Sequence, residues 1–290
     1  MANRDWDVLN NLKVGIVGCG HLGQAIAQTL IEHGVEKHNL FISYRGNPLT
    51  YQHLQEQGLA GCLTSNERIF QEAGLVLVTL KPQDIFQLKE AALLGKALIV
   101  SCMAGIPTRL LCQILGADVY RMMFSGPHTI LSGTGIAALY PEQAQLELLL
   151  RCIHVRYIKV MTEEDLEVFT AGVCLPAAII KDGSPNGQQE AIDKIGAEYP
   201  LLSVLYTWAS SALPVFQTDD DKKQYIDKMI TKGGITEAII VALSDGAPLD
   251  LALRRGIART KEISEEIKQA VEGRMQEDSA FSLLDRSSDL

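Results

Sequence analysis

Three glycines at fixed spacing, in Gly18-Cys19-Gly20-His21-Leu22-Gly23, stand directly after one apolar run and directly before a helical pattern. The run at 13–17 ends in Val-Gly-Ile-Val and lacks polar alternation, as expected of a parallel strand buried on both faces. Behind the loop, 21–33 places Leu22, Ile26 and Leu30 at fourfold spacing, with Gly34 as a C-terminal cap. A strand, this loop and a helix in succession have a specific physical use. The first glycine permits the tight turn, the second lets the backbone approach a pyrophosphate, and the third lets helix pack closely on strand. The helix N-terminus adds amide donors and positive potential. A dinucleotide site is the expectation; a glycine-rich turn without ligand is the alternative.

The same alternation continues along the chain. Further strands are expected at 40–44, 75–79, 97–101, 119–122, 135–139 and 156–160, with helices between them, which implies a parallel sheet with right-handed crossovers. After Thr162, an N-cap followed by Glu163, Glu164 and Asp165, the strands stop. One helix should run from there to about Lys181, and a turn at Gly183, Pro185, Asn186 and Gly187 follows. Helical patterns then cover 187–213, 220–230, 235–244 and 248–275, and the polar stretch 276–290 reads as frayed. The expected class is therefore α/β: a Rossmann-type doubly wound parallel sheet over 1–160, then an all-helical domain over 161–290. The apolar side chains Leu201, Leu202, Val204, Leu205, Trp208, Leu213, Val215 and Phe216 give that second domain a dimerisation role, so a homodimer or larger homo-oligomer is expected.

Composition narrows the class of partner. A length of 290 residues suits two domains, and 47 % apolar with 21 % charged residues is a folding composition. A net charge of −9 argues against a nucleic-acid or anionic-membrane surface, which needs clustered cations. The 6 cysteines form no CxxC pair and suit a reduced protein without disulfides or a metal site. The polar N-terminus is unlike a signal peptide, and the apolar runs near 97–106 and 169–180 fall short of the ~20 residues that span a bilayer. A cytoplasmic protein acting on a small molecule, with no membrane association, is expected.

Cofactor choice is read about twenty positions past the glycine loop, at the end of the second strand. Ser43, Tyr44 and Arg45 stand there, with no carboxylate to take a ribose 2′-hydroxyl. A hydroxyl and a guanidinium suit a 2′-phosphate, so NADPH is expected over NADH. The alternative for Arg45 is a solvated surface arginine.

With these residues in view, the chain resembles the pyrroline-5-carboxylate reductase family from about 13 to 265. Val78-Thr79-Leu80-Lys81-Pro82-Gln83 is similar to the family's Ala-Val-Lys-Pro-Gln, and Ser101-Cys102-Met103-Ala104-Gly105-Ile106 to its Ser-Cys-Ala-Ala-Gly-Val. Arg121-Met122-Met123 with Pro127 resembles Arg-Val-Met-Pro-Asn-Thr-Pro, and Gly233-Gly234-Ile235-Thr236 resembles Pro-Gly-Gly-Thr-Thr. The resemblance implies reduction of a cyclic imine to an amino acid by NAD(P)H, on a Rossmann domain joined to a helical domain that interlocks with a second subunit. It places the cofactor phosphates on Gly18, Cys19, Gly20, His21, Leu22 and Gly23, and the adenosine end on Ser43, Arg45 and Asn66. Leu80, Lys81, Pro82, Cys102, Met103 and Ala104 would line the nicotinamide half. Gly233 and Gly234 would offer bare amides to the substrate carboxylate, and Thr236 would donate a hydrogen bond to the substrate nitrogen. Asn66 and Thr236 suit helix starts equally well, and Lys81 suits a solvated loop.

Part of the pattern departs from the family. Its Ser-Gly-Ser-Gly-Pro-Ala stretch, which lines the substrate pocket, stands here as Gly172-Val173-Cys174-Leu175-Pro176-Ala177. Phe124-Ser125-Gly126-Pro127 replaces Pro-Asn-Thr-Pro, and Lys232 replaces the proline before the glycine pair. His21 reads as backbone support, His128 as a loop residue that could face a substrate, and Lys181 as a solvated helix end. NADPH-dependent reduction of a cyclic imino acid, pyrroline-5-carboxylate (to proline) or a related imine, is the leading expectation, with turnover of pyrroline-5-carboxylate itself poor or absent. A catalytically weakened regulatory homologue and a reductase of a different imine or keto acid are the alternatives.

Overall fold

The structure, a computed structural model, describes the backbone of residues 2–287 and the side chains of 7–277 apart from 186. Its frame is a sheet of 7 strands in the order β2-β1-β3-β4-β5-β6-β7. They are β1 (Val14–Val17), β2 (Leu40–Ser43), β3 (Leu75–Val78), β4 (Leu98–Ser101), β5 (Val119–Phe124), β6 (Ile136–Tyr140) and β7 (Arg156–Lys159). The apolar runs become strands because neither face meets water. Ile16, Leu77 and Val100 join one core with Ile26, Leu30 and Leu149, whereas Val17, Val78 and Ile99 join a second core with Ile106, Leu111 and Val271. Helices cover both faces, as a doubly wound sheet requires. Two strands depart from the all-parallel expectation. β6 runs antiparallel to β5, because the return through 125–135 is too short for a helical crossover, and β7, parallel to β6, shares its direction.

Register sets up the site. Val17 pairs with Ser43 on one side and with Val78 on the other, and Val78 pairs with Ser101. The residues that follow these strands, Gly18, Tyr44, Thr79 and Cys102, therefore emerge along one edge of the sheet. The chain leaves β1 for β2 on one side and returns to β3 on the other, which makes this edge the topological switch point.

The chain forms two compact units, Met1–Lys159 with Ser264–Leu290, and Val160–Ile263. The expected second domain over 161–290 is corrected by this grouping. Val271 is buried among the first unit's apolar side chains, and Ile267 and Met275 pack against the same cluster. The final helix is Leu249–Ser287, so the expected fraying of 276–290 is also corrected for the backbone up to 287, while 288–290 lie outside the described residues. Gln276, Glu277, Ala280, Leu283, Leu284 and Arg286 are strong helix formers by residue type.

Two expected helices are each broken in two. Pro176 opens Leu175–Asp182 after Glu164–Gly172 has ended, and Pro200 opens Pro200–Ala212 after Pro185–Gly196. Proline lacks the N–H needed in a helix interior and is accommodated at a helix start. A helix at Ala2–Leu12, not expected from the sequence, is pinned through Asn10. Its amide donates to Gly34 O at 3.1 Å and its Oδ1 accepts from Glu36 N–H at 2.9 Å. Among the described residues no helix is long and apolar enough to cross a membrane.

Candidate active site

The three glycines of the loop differ in what holds them. Gly18 has φ +86°, and a Cβ there would meet Leu80 Cδ2 at 2.5 Å. Gly23 lies in the seam between helix His21–Glu32 and the sheet, where a Cβ would meet Thr79 Oγ1 at 2.9 Å and Ile16 Cγ2 at 3.1 Å. Gly20 is unlike both. It is exposed, and a Cβ would find only Gly18 O at 3.9 Å. The fold itself leaves room for a side chain at Gly20, so the bare backbone there fits a ligand that comes close. Gly20 is also the N-cap of the helix, and no side chain caps it. Amides of an uncapped first turn suit a pyrophosphate. The loop therefore passes the test that a dinucleotide sets.

Other members of the loop act through the backbone. Cys19 is buried, its N–H donates to Ser43 O at 2.7 Å, and burial pushes its thiol up to about 12. His21 is exposed at the first helical position, and Leu22 is half-buried against the core. Thr79 was not singled out in the sequence. Its hydroxyl donates to Gly18 O at 2.9 Å and so fixes the turn from the neighbouring strand.

At the expected adenosine end the structure brings Ser43 and Asn66 together. Ser43 Oγ donates to Asn66 Oδ1 at 2.6 Å. Arg45 is not free, as expected from the sequence, but engaged. Its Nη2 donates to Asp84 Oδ1 at 2.8 Å, and its Nη1 lies 2.8 Å from Oδ2. The Asp84 side chain is 6 % exposed against 58 % for Arg45. Asp84 sits in the 3-10 turn Pro82–Leu88, just past Lys81-Pro82-Gln83. Only its closeness to that motif could have drawn attention to it.

The loops after β3 and β4 come next along the edge. Leu80 packs over Gly18, Lys81 is exposed, and Pro82 opens the 3-10 turn. Cys102 and Met103 are buried, while Ala104 is half-buried. Cys102 N–H donates to Val78 O at 2.9 Å, and burial pushes its thiol up to about 12. Arg121 Nη2 donates to Met103 O at 3.1 Å. The C-terminal segment rests on the same loops. A Cβ at Gly105 would meet Ile267 Cδ1 at 2.6 Å, and Arg274 donates to Gln83 O at 3.1 Å with its guanidinium 4.7 Å from the Phe86 ring centre.

In the second unit, Gly233 and Gly234 border an open cavity of about 410 Å³, with Glu237, Val241, Arg255 and Arg259 also on its wall. Neither glycine amide is bare, which corrects the expectation. Gly233 N–H donates to Glu237 Oε2 at 2.6 Å, and Gly234 N–H donates to Thr231 O at 2.8 Å. Thr236 is corrected too. It is buried, and its hydroxyl donates to Cys174 Sγ at 3.2 Å. Burial raises the Cys174 thiol to about 11, partly opposed by that bond. The stretch 172–175 is core rather than pocket wall. A Cβ at Gly172 would meet Leu205 Cδ1 at 2.3 Å, and Leu175 is fully buried. His128 and Lys181 are both exposed.

Comparison with known proteins matches the glycine loop and the strands around it to a family. Residues 13–105 match the family described as NADP oxidoreductase, coenzyme F420-dependent. No curated protein matches the chain. Among solved structures, a pyrroline-5-carboxylate reductase from Coxiella burnetii matches with a TM-score of 0.54 at 18 % identity, over 88 % of this chain and 98 % of that one. A Plasmodium falciparum pyrroline carboxylate reductase with NADP bound matches with a TM-score of 0.50 at 17 % identity, over 88 % and 99 %. The chain has the pyrroline-5-carboxylate reductase fold. A Mycobacterium tuberculosis 3-hydroxyisobutyrate dehydrogenase also matches, with a TM-score of 0.52 at 12 % identity over 88 % and 97 %. The architecture is therefore shared by pyrroline-5-carboxylate reductases and a 3-hydroxyisobutyrate dehydrogenase.

Proposed function

We propose that this protein is an NADPH-dependent reductase of a cyclic imine. The observation that carries the proposal is Gly20, whose missing side chain the fold does not require, at an uncapped helix start on the switch-point edge. The loop amides would hold the pyrophosphate, and Ser43, Asn66 and Arg45 would border the adenosine end. Leu80, Lys81, Pro82, Cys102, Met103 and Ala104 would line the nicotinamide half. The nicotinamide, when bound, supplies the hydride. The protein's share is to hold the acceptor carbon in place and to keep water out. The match of residues 13–105 to an NADP oxidoreductase family supports the cofactor, and an NADP-bound structure of the same fold supports its phosphorylated form.

A second reading, cofactor binding without turnover, is favoured by the engagement of Gly233, Gly234 and Thr236 within their own unit. Exposed apolar side chains on the second unit, Val204, Val241 and Leu251 among them, support a homodimer. The 6 cysteines, all unpaired, support a reducing compartment such as the cytoplasm. Two measurements test the proposal: NADPH titration by fluorescence, and NADPH oxidation with 1-pyrroline, pyrroline-5-carboxylate and 2-keto acids. Tight NADPH binding with turnover of an imine is the expected result. Binding without turnover of any compound supports the second reading, and absence of NADPH binding refutes both.

A further inference from the structure

We propose that Arg274, on the last helix, is a positioning residue for cofactor choice: it fixes the turn that carries Asp84 and so limits the pull of Arg45 on a 2′-phosphate. The inference rests on the cofactor site proposed above, and every residue in it belongs to the first compact unit. Arg274 stands 191 positions from Gln83, yet its Nη1 donates to Gln83 O at 3.1 Å. Its guanidinium also lies 4.7 Å from the centre of the Phe86 ring. One planar cation thus grips the turn Pro82–Leu88 on both sides of Asp84, through the residue before it and the ring of the residue two places after it.

The grip is anchored at its far end. Ile267, Val271 and Met275 recur at every fourth position of the helix and join the apolar cluster that also holds Ile85 and Leu88 of the turn. Arg274 adjoins that stripe, so helix and turn are seated on one core. Within the turn, Asp84 N–H donates to Lys81 O at 2.9 Å. The Asp84 carboxylate, 6 % exposed, faces Nη1 and Nη2 of Arg45 at 2.8 Å each.

Burial decides the sign of the effect. A 2′-phosphate at Arg45 competes with Asp84 for one guanidinium. To the extent that the phosphate wins, a carboxylate is left out of water without its counter-charge, which opposes binding. The penalty is largest while Arg274 holds the turn, because the held turn keeps Asp84 away from solvent. Without Arg274 the turn yields, Asp84 gains water, and Arg45 is freer to meet the phosphate. The preference for NADPH over NADH should therefore rise. A direct contact would give the opposite sign: were Arg274 itself to meet the phosphate, removing its positive charge would lower that preference. A guanidinium carries more N–H groups than one carboxylate can take, so the competition is graded and the effect is a few-fold one.

The full chain is titrated with NADPH and NADH by fluorescence, and with adenosine 2′,5′-bisphosphate and adenosine 5′-monophosphate by calorimetry. The second pair differs only in the 2′-phosphate. Arg274→Ala should raise both affinity ratios by about two- to fivefold. Arg274→Lys keeps the charge without the planar fork and should raise them less, while Phe86→Leu, which removes the ring but keeps apolar bulk, should raise them as well. In an Asp84→Asn background Arg274→Ala should move neither ratio, because no carboxylate remains to be placed. Should Arg274→Ala fail to fold, Arg274→Lys and Phe86→Leu carry the same decision. A fall in the ratios, no change in them, or the same rise in the Asp84→Asn background overturns the inference while the cofactor site stands. A wild type that binds neither dinucleotide removes that site, and the inference with it.

Discussion

Asp84 keeps a carboxylate almost out of water, paired with the Arg45 guanidinium facing it. Arg45→Ala should therefore lower stability by about 1–3 kcal/mol, less than for a fully buried pair because the arginine is more than half exposed. Thermal denaturation checks this, and the Arg45→Ala/Asp84→Asn double variant should recover part of the loss. The same pair bears on cofactor choice, since Asp84 offsets the charge that a 2′-phosphate would seek. Asp84→Asn is expected to raise the NADPH-to-NADH affinity ratio by about two- to tenfold, and fluorescence titration of both cofactors measures it. Cysteine chemistry is also decided residue by residue. Burial raises the Cys19 and Cys102 thiols from 9.0 to about 12 and the Cys174 thiol to about 11, which favours the neutral form. The protection this gives is complete below the unfolded value near 9.0, and stability falls as the unfolded chain ionises above it, through pH 9 to 12. At pH 8 iodoacetamide should spare all three in the native protein and react first at the half-buried Cys112, as peptide mapping by mass spectrometry would show.

The strand, loop and helix around Gly18–Gly23 give a cleaner contrast than any single side chain. Gly23→Ala would push a methyl into Thr79 and Ile16 and should cost about 1–3 kcal/mol by overpacking. Gly20→Ala meets no neighbour closer than 3.9 Å, and its φ of −81° is ordinary, so melting should be unchanged. NADPH affinity should nevertheless fall by about tenfold or more, because the methyl stands where the pyrophosphate approaches. Loss of stability together with unchanged affinity would refute the role given to Gly20. Elements of this kind were legible in the sequence because each is a local pattern. All seven strands start or end within two residues of where the apolar runs place them. Proline marked the breaks at Pro176 and Pro200, although the apolar period ran through both. What the sequence hid were pairings between distant elements. Thr79 with Gly18, Asp84 with Arg45 and Cys174 with Thr236 follow no period, and only the folded register brings them together.

At the scale of the molecule, the last helix carries the main surprise. Polarity over 276–290 suggested a loose end, yet the helix continues to Ser287, and upstream of that stretch Ile267, Val271 and Arg274 hold the helix to the first unit, Arg274 on the loop after β3 and Ile267 on the loop after β4. Ile267→Ala should cost about 2 kcal/mol, the low end for a partly buried isoleucine, and should weaken NADPH binding by loosening the loop at Gly105. The second unit's exposed Val204, Val241 and Leu251 predict at least a dimer, and light scattering at micromolar concentration would expose a monomer if this is wrong. The grouping of Ser264–Leu290 with Met1–Lys159 also sets an order of events at the ribosome. The residues synthesised first must wait for those synthesised last, because the apolar cluster that includes Val17 and Ile106 closes only when Val271 arrives. Until then the part of that cluster which Ile267, Val271 and Met275 cover stays open to water for the whole time taken to translate 160–263. Apolar surface left open during synthesis raises the risk of aggregation, and a short translation time for 160–263 lowers it.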